Sequence, residues 1–232
     1  MKSLLLLFLY YFYQSIFSSM FREFSDKISA ALANDLPGEK AHMMMTPTVR
    51  NDNLTKPLES VSPIKSAVLV LLYPNEAGRI SFPLIQRPTY NGAHSGQVSF
   101  PGGKAEPTDK SIVNTAIREA EEEVGIKSEM VEVLGTMTNL FIWVSNYIVT
   151  PVVGVYRMTP EFKKDEKEVD AIIETDLYDI IDPKKRKEGI VVARNKYQIQ
   201  TPYFDINKKV VWGATAMMLS ELSMIVDKAK IY

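Results

Sequence analysis

The chain has 232 residues with 27 basic and 28 acidic side chains, so its net charge favours neither nucleic acid nor a polyanionic partner. It has no cysteine, which excludes disulfides, thiolate metal sites and a cysteine nucleophile, and its two histidines, His42 and His94, are too few for a His-rich zinc centre. A hydrophobic content of 46% with 24% charged residues suits one globular domain, and any metal must be held mainly by oxygen, which points to Mg2+ or Mn2+.

Residues 1–19 differ in composition from the rest of the chain: Leu4 to Tyr13 is an apolar and aromatic run behind a single Lys2. It falls short of the roughly 20 residues that a bilayer-spanning helix needs. Ile16 and Phe17 interrupt the serines where a small-x-small cleavage site would lie. We read it as an apolar extension ahead of a functional start at Met20, with a signal-like segment as the alternative. The location expected is cytoplasmic, export being the alternative, and no membrane partner is expected. From Met20, MFREFSDKISAAL predicts an amphipathic helix carrying Phe21, Phe24, Ile28 and Leu32 on one side. Residues 33 to about 64, rich in Pro, Asn and charge, read as an irregular connection in which Met43 to Met45 cover an apolar surface. The N-terminal helix and connection thus take residues 20–64, and the main domain takes 65–232.

Strands are predicted over 66–74 (SAVLVLLYP) and 80–88 (ISFPLIQRP), and a third short one ends at Gly102-Gly103 in VSFPGG. From Ser111 to Val124 the period becomes helical, with Val113, Ala116, Ile117, Ala120 and Val124 forming one apolar stripe. Thr108 or Asp109 is expected to cap this helix and Gly125 to end it. Strands resume in MVEVLGTM and NYIVTPVVGVY. The acid-rich loop KKDEKEVD leads to a second helical region, and GATAMMLSELSMIVDKA closes the chain as a helix. Strands mixed with helices, without regular alternation, predict an α+β fold with a mixed sheet packed between helices.

The helix over 111–124 carries its acids at the wrong end. Glu119, Glu122 and Glu123 fall within one arc of about 100°, beside the apolar stripe, while Glu121 points away toward solvent. Three carboxylates at this spacing repel one another by a few tenths of a kcal/mol per pair. Each costs roughly 0.3–1 kcal/mol more near a helix C-terminus. A solvated acidic face accounts for Glu121 but poorly for the other three. A divalent cation turns their repulsion into binding.

The run Arg118-Glu119-Ala120-Glu121-Glu122-Glu123-Val124-Gly125-Ile126, with Gly102-Gly103 and Asp109 upstream, resembles the Nudix box of the Nudix hydrolases. The resemblance implies a Nudix-type α/β/α sandwich and metal ligation by Glu119, Glu122 and Glu123. It also implies that an ion pair between Asp109 and Arg118 braces the loop. The family pattern has Glu where Asp109 stands, and usually seven residues rather than eight before the arginine. Within the family, LIQRPTYNGAHSGQVSFPGGK is similar to the second signature of the coenzyme A pyrophosphatases through Arg87, Gly96, Val98 and Phe100 to Gly103. Pro88 stands where Ser or Ala is usual, and Gly92 where that signature has an arginine. These departures bear on the substrate, not on the fold.

The activity implied is metal-dependent hydrolysis of a nucleoside diphosphate linkage, with coenzyme A or a derivative as substrate. ADP-ribose or another nucleoside diphosphate compound, or binding without turnover, are the alternatives. Glu119, Glu122 and Glu168 are the candidate catalytic carboxylates. Gly103 joins the metal set, since glycine allows close approach, and Arg87 and Gly102 are candidates for substrate binding. His94, Tyr90 and the basic run Lys184 to Lys187 read more simply as packed or solvated residues. The partner expected is a small nucleotide, with no nucleic acid; the sequence leaves the oligomeric state open.

Overall fold

The structure, a computed structural model, describes residues 19–47, 62–89, 95–193 and 197–230. Its centre is β1 (Ile64–Pro74), which pairs in parallel with β7 (Tyr147–Tyr156) and antiparallel with β2 (Ile80–Gln86). Around these lie β3 (Val98–Ser99) on β2, β4 (Gly102–Lys104) on β1, and β5 (Val131–Thr136) and β6 (Leu140–Ile142) on β7. The eighth strand, β8 (Ala171–Asp176), pairs with the other side of β2. The sheet is therefore mixed.

β1 shows why a continuous apolar run suits its middle. Ala67, Leu69, Leu71 and Tyr73 face one helix layer, whereas Val70 and Leu72 face the other, and all six are buried. On the first side sits the helix α3 (Ile112–Val124), whose Ala116, Ala120 and Val124 pack on the odd-numbered face. The opposite layer holds α1, covering 19–32 of the described residues, the five-residue α2 (Glu39–Met43) and the closing α5 (Gly213–Lys228). Phe21, Phe24, Ile28 and Leu32 of α1 are all buried there, each worth about 2 kcal/mol of transfer free energy before ordering entropy is set against it.

Several expectations need correction. The connection 33–64 is not wholly irregular, because α2 docks on α5 through Ala41 and His42; of the three methionines only Met45 is buried, and Met43 and Met44 are exposed. Helix α3 is capped by Ser111, whose Oγ accepts from the Asn114 N–H at 3.3 Å, rather than by Thr108 or Asp109. Asp109 is held by Arg118 instead. Gly102 and Gly103 do not end a strand but begin β4. The helical region expected after KKDEKEVD is a single turn, α4 (Tyr178–Ile181), behind the strand β8. A separate antiparallel sheet comes next, with β10 (Tyr197–Ile206) between β9 (Arg186–Ala193) and β11 (Lys209–Trp212). No helix among the described residues is long and apolar enough to cross a membrane. The apolar extension over 1–18 lies outside the described residues, as do Tyr90, Gly92 and His94.

Candidate active site

The acidic end of α3 faces β4, and two glycines make that approach possible. A Cβ on Gly103 would stand 2.5 Å from the Glu119 carboxylate, and one on Gly102 would stand 2.3 Å from the Ala67 carbonyl oxygen. Gly102 admits no side chain, because backbone fills the place, and at Gly103 one would have to displace the Glu119 carboxylate. The freed space lets Glu123 Oε2 accept the Gly102 N–H at 2.7 Å, while Arg87 Nη2 donates to the Gly102 carbonyl at 3.0 Å. Arg87 Nε also donates to Ser99 Oγ at 3.2 Å, and Nη2 stands 3.7 Å from Glu123 Oε1. Both polar groups of Gly102 are thus gripped by residues distant in sequence.

Asp109 and Arg118 form a two-pronged pair: Nε donates to Oδ1 at 2.9 Å and Nη2 to Oδ2 at 3.1 Å. Thr115 Oγ1 and the Glu106 N–H also donate to Asp109 Oδ2, each at 2.9 Å, fixing the loop before α3. These bonds, the guanidinium's first, hold the Asp109 carboxyl well below the usual range. Arg118 reaches further, to Glu119 Oε1, to Glu122 Oε2 (both 3.0 Å) and to the Lys104 carbonyl at 3.2 Å. Thr115, Ser99 and the Lys104 carbonyl had no motif to mark them. They are found only once Asp109, Arg87 and Arg118 are placed.

The three box glutamates have unequal surroundings. Glu123 is 1% exposed, and burial pushes its carboxyl up to about 7 against the opposing pull of Arg87 and the Gly102 N–H. Glu119 is raised by partial burial too, and the charges of Glu122 and Glu168 push it the same way, with Arg118 opposing. Glu122 is exposed and turned onto Arg118, as Glu121 is exposed on the far side. The loop bearing Glu168 is tied to the end of α3, since the Lys163 N–H donates to the Val124 carbonyl at 2.9 Å and the Asp165 N–H to the Glu123 carbonyl at 3.0 Å. Gly125, at φ 71, lets the chain turn there, and its Cβ position is filled by the Lys163 carbonyl at 2.7 Å. Asp165 Oδ1 then accepts the Glu168 N–H at 3.0 Å. The fold thus brings Glu119, Glu123 and Glu168 within electrostatic reach of one another and leaves Glu122 on the rim.

Residues 63–191, more than half of the chain, match the family model described as NUDIX domain. The chain belongs to the Nudix family. A relative described as "Uncharacterized Nudix hydrolase NudL" from Yersinia pestis (strain Pestoides F) is 34% identical over 150 residues, covering 62% of this chain and 71% of its own. The NudL protein of Yersinia pseudotuberculosis serotype O:1b matches equally well. Among solved structures, the Nudix hydrolase RenU from M. smegmatis overlaps 71% of this chain and 87% of its own at 14% identity, with a TM-score of 0.47. The MutT protein from Methanosarcina mazei Go1 overlaps 74% and 99% at 19% identity, with a TM-score of 0.46. As a Nudix hydrolase, the chain is a pyrophosphohydrolase acting on nucleoside diphosphate compounds, and enzymes of this family generally need divalent metal ions.

The residues present fit such an ion. A nearly solvent-free carboxylate with one N–H donor and a guanidinium at 3.7 Å is under-compensated, as its raised pKa records. No three acidic or histidine side chains among the described residues already form a ligand cluster. Magnesium does not require one, because it keeps several waters and is commonly bound through one or two carboxylates plus substrate phosphates.

Proposed function

We propose that this Nudix hydrolase cleaves the diphosphate linkage of coenzyme A or its derivatives, releasing adenosine 3′,5′-bisphosphate and 4′-phosphopantetheine. One observation carries the reading: the segment that resembles the coenzyme A signature is built into the box itself, with Arg87 joined to Gly102, Ser99 and Glu123. Arg87 then acts mainly on the protein, and the substrate meets the backbone that it holds. The similarity to NudL places no substrate on either chain.

Glu119, Glu122, Glu123 and the Gly103 backbone are the groups we assign to the ion, Mg2+ or Mn2+. When bound, it neutralises diphosphate oxygens and lowers the pKa of a water. The chain's own groups do the rest. Arg118, fixed by Asp109, orients Glu119 and Glu122 together, and Glu123 clamps Gly102. As water forms its bond to phosphorus and the bridging P–O bond breaks, the water's proton goes to a carboxylate oxygen. Glu119 and Glu168 are the two candidates. We favour Glu168, because Arg118 already engages Glu119 at 3.0 Å, whereas Glu168 is exposed on a loop tethered to the end of α3.

A screen of coenzyme A and ADP-ribose, each with magnesium and with manganese, tests the reading. Release of adenosine bisphosphate from coenzyme A at the higher kcat/KM supports it. Preference for ADP-ribose would assign the site to another nucleoside diphosphate compound, and tight binding without hydrolysis would make the chain a binding module.

A further inference from the structure

The face of α3 that carries Glu119 and Glu122 begins one turn ahead of them. Thr115, Arg118, Glu119 and Glu122 stand at i, i+3, i+4 and i+7 and fall within one arc of about 100°. Thr115 is fully buried, although burying a hydroxyl is costly unless it is bonded. A threonine inside a helix commonly turns its hydroxyl back to the carbonyl four residues earlier. Here the Ser111 carbonyl lies 3.5 Å from Oγ1 and already accepts the Thr115 N–H at 3.2 Å. The hydroxyl's shorter contact is to Asp109 Oδ2 at 2.9 Å, so its proton goes there.

Asp109 depends on that bond. Oδ2 accepts from the Thr115 hydroxyl, the Glu106 N–H and Arg118 Nη2, and Oδ1 accepts from Arg118 Nε. Two of these four bonds come from the guanidinium that Asp109 fixes, and one comes from its own loop. The Thr115 bond ties the carboxylate to the helix through a stiff side chain, in a place closed to any water that could replace it. From Asp109 the geometry passes to the box. Arg118 Nη2 stands 3.0 Å from Glu119 Oε1 and Nη1 stands 3.0 Å from Glu122 Oε2, so whatever orients the guanidinium orients both carboxylates. A guanidinium freed from Asp109 settles on Glu119 and Glu122 and competes with a cation for them.

We propose that Thr115 is a positioning residue of the cation site: its hydroxyl locks Asp109, which holds Arg118 and through it keeps Glu119 and Glu122 in place for the ion. This rests on the reading of those carboxylates as a cation site. The experiment measures Mn2+ binding by electron paramagnetic resonance, with the metal alone and no nucleotide. The proteins are the wild type, Thr115→Ser, Thr115→Val, Asp109→Ala and the double variant Asp109→Ala/Thr115→Val. Ser keeps the hydroxyl and drops the methyl, whereas Val keeps the shape and drops the hydroxyl. Thr115→Val weakens Mn2+ binding about tenfold, as loss of a group supporting a metal ligand does, and Thr115→Ser stays within about two-fold of the wild type. In the Asp109→Ala background, Thr115→Val adds no more than about two-fold, because the hydroxyl acts through that carboxylate. Wild-type affinity in Thr115→Val, a Ser variant weakened as much as the Val one, or losses that multiply in the double variant overturn the proposal and leave the cation site standing. A Thr115→Val protein that does not fold overturns it too, since the hydroxyl then serves the fold and not the site. No saturable Mn2+ site in the wild type removes the cation reading, and the proposal with it.

Discussion

Replacing Glu123 by Gln should make the metal-free protein more stable at high pH, although it removes the most buried acid of the site. Burial holds the folded-state carboxyl at about 7, above its ordinary 4.5, so the folded chain binds more protons than the unfolded one between those values. Stability conferred below about 4.5 is therefore lost as pH rises through this window, and above about 7 the ionised group costs about 3 kcal/mol. Gln keeps an oxygen to accept the Gly102 N–H, but its amide nitrogen lies less well beside Arg87, so about 2 kcal/mol of relief is expected. For a chain of this size that is about 4–8 °C in Tm. Thermal melts in chelator should show this gap at about pH 9 and only a fraction of it at about pH 5. With saturating magnesium the order should reverse, because only the wild type gains from the ion. A gap that does not vary with pH, or a less stable variant at pH 9 in chelator, would mean that burial does not raise the Glu123 carboxyl.

Glu122→Gln should lower kcat by at least about a hundred-fold, each tenfold being 1.36 kcal/mol of barrier, while Glu121→Gln leaves turnover nearly unchanged. Because the Arg118–Glu122 pair is exposed, Tm in chelator should change by less than about 3 °C in either variant. Gly125→Ala places a Cβ against the Lys163 carbonyl at positive φ, and chemical denaturation should report a loss of about 2 kcal/mol or more, with kcat falling as the Glu168 loop is displaced. His42→Ala removes the partner that the buried Glu221 meets at 2.9 Å through Oε2, while Gly38 and Thr138 still hold Oε1; it should cost about 2 kcal/mol in urea unfolding while leaving KM unchanged.

Elements that bury one continuous or regular stripe were legible in the sequence. β1, β2, β7, α3 and α5 announce themselves because their neighbours lie on one or both faces all along their length. β8 and the β9–β10 pair were not, since β8 has only six residues and β9 carries an apolar alternation that the fold leaves uncovered at Ile190 and Val192. The buried Glu221 was invisible for a different reason. Burial alone would push its carboxyl up, but His42 from α2 and Thr138 from the β5–β6 connection bring it below the usual range, and neither is near it in sequence. The box could be read because its carboxylates follow helical spacing within one element. Its supports could not, because Arg87 reaches Gly102 across 15 residues and the Glu168 loop reaches α3 by main-chain bonds that no side-chain pattern encodes. Unequal burial along α3 also separated Glu123 from Glu122, which their shared arc had placed together.

On the reading proposed above, the acidic end of α3 and β4 together form a divalent-cation site. Manganese binding followed by electron paramagnetic resonance, in wild type, Glu121→Gln and Glu119→Gln, tests it without reference to any substrate. One saturable site is expected in the wild type, retained with unchanged affinity in Glu121→Gln and weakened at least about tenfold in Glu119→Gln. Equal affinity in all three proteins, or no saturable site in the wild type, would contradict it.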